Sequence, residues 1–72
     1  MTLKIKKIAS GYYLAAFEHR EFEIVAYNTD VKEAIWWGWS EKNKLGYFGD
    51  AQDSFSTKRR CVEAIIDWIK NN

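Results

Sequence analysis

Seventy-two residues with four glycines and no proline fit one domain and exclude a second. Eleven lysines and arginines against ten aspartates and glutamates leave a net charge of +1, which argues against a protein living mainly on phosphate contacts. One cysteine and one histidine exclude an internal disulfide and are too few soft ligands for a structural zinc. A chain this short buries only about 60% of the surface its unfolded form exposes, so compensation must come from aromatic packing or from a partner chain. The aromatic material is present as four tryptophans, four tyrosines and four phenylalanines.

In chain order, Leu3 to Ile8 alternates lysine with aliphatics before the Ala9-Ser10-Gly11 turn, the pattern of a short edge strand protected by its lysines. Tyr12 to Phe17 and Phe22 to Tyr27 are aromatic and β-branched runs separated by Glu18-His19-Arg20-Glu21, and they read as a hairpin. A tip at His19-Arg20 pairs Phe17 with Phe22, Ala15 with Ile24 and Tyr13 with Ala26 on one face. Tyr12 with Tyr27 and Leu14 with Val25 then share the other face.

After Asn28-Thr29-Asp30, the Asp30–Glu33 spacing of a capping box allows a short helix over Val31 to Trp37. A strand is preferred, because the tryptophans around Gly38 suit a pleated surface and barely two helical turns would precede that glycine. Ala34 to Ser40 and Leu45 to Gly49 then form a second hairpin across Glu41 to Lys44, with Trp37 opposite Phe48 and Tyr47 over Gly38. Asp50 to Ser54 is a polar connection. Phe55 to Lys70 is an amphipathic helix with Ser56 as N-cap, its stripe formed by Val62, Ile65, Ile66 and Ile69 and flanked by Cys61 and Trp68.

The chemistry is sparse. No glycine-rich phosphate cradle, metalloprotease motif or nucleophile–base set is present, so the chain reads as a non-enzyme without cofactor or metal. His19 is a solvated tip residue, and Cys61 is a buried, inert thiol. The first eight residues lack a signal-peptide core and no stretch approaches ~20 apolar residues, which points to a soluble, cytoplasmic protein with no membrane partner.

Two features ask for more. One helix covers only one face of a sheet. If Phe17, Phe22, Ile24, Ile35, Trp37, Trp39 and Phe48 meet it, then Tyr12, Leu14, Val25, Tyr27, Trp36 and Tyr47 form a tract on the other side. Exposed tyrosine and tryptophan of this kind mark interfaces. Lys58, Arg59 and Arg60 also place three cations in the first helical turn, where the helix dipole favours carboxylates. Basic side chains beside exposed N–H groups can meet an anion.

Gly11-Tyr12-Tyr13, the tryptophan-rich second hairpin and Phe55-Ser56 opening a closing helix give a chain that resembles the small sheet-plus-C-terminal-helix accessory proteins of phages and prophages. Some of these bind and block a host protein, the anti-CRISPR inhibitors among them, so the resemblance implies a binding module without naming its target. The expectation is therefore an α+β domain of four or five antiparallel strands with one C-terminal helix on one face. It binds a protein partner or a second copy of itself, as a homodimer, through the aromatic face. The alternative is a single-stranded nucleic-acid binder in which Tyr12, Tyr27 and Trp36 stack bases while Lys58, Arg59 and Arg60 or the N-terminal lysines meet phosphates.

Overall fold

The computed structural model describes residues 2–28 and 35–71. Among these residues five strands, β1 (Lys4–Ala9), β2 (Tyr12–Phe17), β3 (Arg20–Asn28), β4 (Ile35–Glu41) and β5 (Gln52–Phe55), precede one helix, α1 (Lys58–Asn71). The strands form one antiparallel sheet in the order β1-β2-β3-β4-β5. This is the expected α+β architecture.

The β1–β2 turn needs its glycine. Gly11 has φ +75° and its carbonyl accepts the Ala26 N–H at 2.7 Å, while a Cβ there would meet the Ala26 Cβ at 3.2 Å. Only glycine reaches that conformation and that approach without strain.

The β2–β3 hairpin turns at Glu18-His19, not at the expected His19-Arg20. Glu18 takes the left-handed conformation, at φ 56°, and Phe17 pairs with Arg20, Ala15 with Phe22, Tyr13 with Ile24 and Tyr12 with Val25. The register is shifted by two residues, so every side chain keeps its expected face, since the pleat repeats every two. Phe22 then lies opposite Glu41 of β4. Arg20 forks onto the Glu41 carboxylate, with Nε and Nη2 donating at 2.6 and 2.7 Å. That bidentate pair rests on the β3–β4 register, which sets Glu41 opposite Phe22, two residues from Arg20.

Beyond β4 the expected second hairpin does not form. Asn43 Oδ1 accepts the N–H groups of Leu45 and Tyr47 at 2.9 and 3.0 Å, and Gly46 sits at φ +89°. This folds residues 43–47 into a closed loop. Phe48 makes only an isolated bridge to Lys42, and Trp37 pairs with Phe55 instead of Phe48. The fifth strand is Gln52–Phe55, made from the end of the Asp50 to Ser54 stretch read as a polar connection and from Phe55, expected to open the helix. The short helix considered for 31–37 falls largely outside the described residues, and from Ile35 onward the chain is strand.

The helix begins later than expected. Thr57 is its cap, its Oγ1 accepting the Arg60 N–H at 3.2 Å and its carbonyl the Cys61 N–H at 3.2 Å; Ser56 stands one residue outside. Cys61, Ile65 and Ile69, spaced at i, i+4 and i+8, are the buried residues of α1, with Val62 and Ala64 packed beside them. Ile66 is only partly buried. The buried line thus runs along one edge of the expected stripe, because the helix meets β3, β4 and β5 from that side.

Under it lie Phe22, Ile24 and Trp39, with Ala15 completing the core and Phe22, Ile24, Cys61 and Ile65 at 0% exposure. Trp39 is held edge-on to Phe22 and tilted against Trp68, with ring centroids 6.0 and 5.9 Å apart. Trp68 in turn donates its Nε1–H to Glu41 Oε1 at 2.9 Å, tying the helix to the Arg20–Glu41 pair.

Candidate functional site

Strand pairing distributes the site residues proposed from sequence. Ala15, Ile24 and Trp39 share the helix face, so their neighbours along each strand share the other. On that second face Tyr12, Val25 and Gly38 form one row, and Tyr27 stands directly opposite Trp36 in the next. Leu14, Glu23 and Ser40 form the row on the other side of Tyr12, reached by Lys6 of β1. Tyr12, Leu14, Val25, Tyr27 and Trp36 are all partly exposed. No helix or strand among the described residues lies over them.

Tyr12 is diagonal to Tyr27, not opposite it. The three aromatics still gather at one end of the face, and the other end is polar.

Two of the aromatics are anchored. The Tyr12 hydroxyl donates to Glu23 Oε2 at 3.0 Å, and Ser40 Oγ donates to Oε1 of the same carboxylate at 3.4 Å. Burial first, then the hydrogen bond and the charge of Glu23, push the Tyr12 phenol above its ordinary pKa, so it stays a neutral donor. The Tyr27 hydroxyl shares a 2.6 Å hydrogen bond with Ser54 Oγ of β5. Rings fixed in this way lose less freedom when a partner covers them.

Tyr47 is not part of this cluster. It sits in the 43–50 loop, 69% exposed, and its carbonyl accepts the Asn43 N–H at 2.8 Å. That places it beyond the Glu41 end of β4, whereas Trp36 lies at the start of the strand.

Lys58, Arg59 and Arg60 are also separated from the aromatics, because α1 packs on the other side of the sheet. Lys58 Nζ lies 4.1 Å from the centre of the Tyr13 ring, a cation–π contact on the helix face. Arg59 pairs with Glu63 one turn on at 3.9 Å, its side chain 90% exposed, a geometry that contributes little. No acidic residue stands in the first turn of α1. The basic turn and the aromatic tract therefore cannot form one surface. The lysines that do share the aromatic face are Lys4 and Lys6, paired with Ala16 and Leu14.

Near the β2–β3 turn, a cleft of about 390 Å³ is lined by His19, Arg20, Glu21, Glu41, Lys42 and residues of the 43–46 loop. Four of its charges pair across it, Arg20 with Glu41 and Lys42 with Glu21 at 3.1 Å, which clasps β3 to the end of β4, and Lys44 also lines it. Arg20 and, to a lesser degree, Trp68 hold the Glu41 carboxyl below its ordinary pKa against the opposing effect of burial.

Cys61 is buried in the core, and burial pushes its thiol up to about 12. The nucleophilic thiolate is absent at neutral pH. Among the described residues no group of three or more histidine, cysteine, aspartate or glutamate side chains could hold a metal ion, and no helix is long and apolar enough to cross a membrane.

Sequence reasoning missed Glu23 and Ser54. The signal was available in part for Glu23, a carboxylate inside the otherwise apolar run from Phe22 to Tyr27, whereas Ser54 depends on a strand the sequence did not reveal. No family model matches this chain, and neither a curated protein nor a solved structure matches it.

Proposed function

We propose that the chain is a small protein-interaction module working through the sheet face opposite the helix, and that a second copy of itself is its first partner. The observation that carries this reading is the juxtaposition of Tyr27 with Trp36 and of Tyr12 with Val25 on a face that no described helix or strand covers. Aromatics of this kind, held in place before binding, dominate interface energetics.

Two further points favour a second copy. Among the described residues the core has seven buried apolar side chains, a small number for independent stability, and a partner that buries another apolar face adds to it. The same face also carries both signs of charge, Lys4 and Lys6 on β1 with Glu21 and Glu23 on β3. A surface with both signs can be self-complementary about a two-fold axis.

The phage-type inhibitor reading uses the same face with a host protein in place of the second copy. Sedimentation of the purified protein alone and with a single-stranded oligonucleotide separates the readings. Reversible dimers that ignore the oligonucleotide support self-association. A monomer at all concentrations removes that reading and leaves a foreign partner. An oligonucleotide complex that weakens steeply with salt would replace both with the nucleic-acid alternative.

A further inference from the structure

The two edges of the sheet differ. β5 is four residues long, pairs irregularly with β4 and lies in contact with α1. β1 is six residues long and all six are exposed. It pairs only with β2, so its outer row of N–H and C=O groups has no strand partner among the described residues.

Lysines usually blunt such an edge. Here the blunting is incomplete, because Ile5 and Ile8 are 41% and 45% exposed on the same strand. Ile5 stands opposite the core residue Ala15 on the helix face, and Lys4 and Lys6 alternate onto the other face. The strand carries three lysines and no acid. A second β1 laid antiparallel against it would set lysine against lysine, which is unfavourable.

We infer that the β1 edge receives an extended acidic segment of another polypeptide, added as a sixth strand, in which carboxylates meet Lys4 and Lys6 and an apolar side chain between them lies beside Ile5. The backbone row supplies hydrogen bonds, the alternation supplies selectivity, and the lysines exclude the protein's own edge. A nucleic-acid strand fits less well. Lys7 pairs with Tyr13 on the helix face while Lys4 and Lys6 point the other way, so the lysines do not make one phosphate track. This inference concerns the edge of the sheet and is independent of the face-to-face dimer.

The test is an amide-resolved NMR titration of the full chain with four probes. These are a blocked peptide of about six residues alternating glutamate with valine, the same peptide with lysine for glutamate, the glutamate peptide N-methylated at alternate residues, and oligo(dT). The acidic peptide is expected to shift β1 amides saturably and to bind about tenfold more weakly when salt screens the charges. The lysine and N-methylated peptides should leave β1 unmoved.

Trp36→Ala should bind the acidic peptide as the parent does, which keeps a failure of the dimer distinct from a failure here. The inference is overturned if β1 does not respond at millimolar acidic peptide, if the N-methylated or lysine peptide binds equally well, or if the shifts centre on Tyr27 and Trp36. Saturable β1 shifts with oligo(dT) and none with the acidic peptide would make the edge a phosphate surface instead.

Discussion

The two faces of this sheet are built from similar residues and end in different states. On one, Phe22, Ile24 and Trp39 are sealed under Cys61, Ile65 and Ile69. On the other, Tyr12, Val25, Tyr27 and Trp36 stay partly exposed, with the Tyr12 and Tyr27 hydroxyls satisfied by Glu23 and Ser54. Residue type alone does not separate them, since each face has aromatic and β-branched side chains. The separation comes from the helix, whose single buried line closes one face only. The sealed face carries stability, and the open face, with polar handles on two of its rings, is suited to a contact made and broken.

Substitutions on the sealed side should produce the largest effects. Ile65→Ala removes a fully buried side chain at the centre of the helix contact and should cost about 2–5 kcal/mol, a large part of a small domain's stability. Chemical denaturation reads this directly. A midpoint unchanged from the parent would place the core elsewhere. Exposure of the Cys61 thiol should follow the same transition, with alkylation blocked until the core opens.

Gly11→Ala tests the β1–β2 turn, packed against Ala26 of β3. A side chain at φ +75°, with its Cβ 3.2 Å from that of Ala26, should destabilise by about 1–3 kcal/mol. A neutral substitution would mean that the β1–β2 turn relaxes at no cost.

The Arg20–Glu41–Trp68 clasp predicts a pH dependence. The folded-state pKa of Glu41 is depressed, chiefly by Arg20, so its contribution is present above the ordinary carboxylate value near 4.3 and is lost as pH falls through the lower folded value. Melting temperature followed from about pH 6 down to about pH 2.5 should therefore decline less steeply for Glu41→Gln than for the parent. Parallel curves would show that the clasp is not coupled to folding.

The smallest effect belongs to the basic turn. Arg60→Ala, at an exposed position on the solvent side of α1, should stay within about 0.5 kcal/mol of the parent. A larger loss would make that turn structural.

Much of this division was legible in the sequence. The period of two in Tyr12 to Phe17 and in Phe22 to Tyr27 assigned each residue to its observed face. It did so although the hairpin tip was misplaced, because a two-residue slip preserves the pleat. What periodicity could not supply was geometry set by single side chains. The αL conformation of Glu18 moved the turn, and the Asn43 side chain closed a loop where a strand was expected, carrying Tyr47 away from the face. Glu23 came within reach of Tyr12 only in the observed hairpin register, which sets it opposite Leu14, and Ser54 became relevant only through pairing across strands distant in sequence. The basic turn was legible as a cluster, and its separation from the aromatics follows from the helix lying over Phe22, Ile24 and Trp39.

The most direct test of the open face is sedimentation equilibrium of the parent and of Trp36→Ala across a wide concentration range, with thermal melts of both run well below the dimer midpoint. The parent should form a reversible dimer, and the variant should dissociate about thirtyfold more readily, roughly 2 kcal/mol, with its monomer melting as the parent's does. Two proteins that remain monomeric throughout, or that dimerise equally well, would contradict self-association through this face.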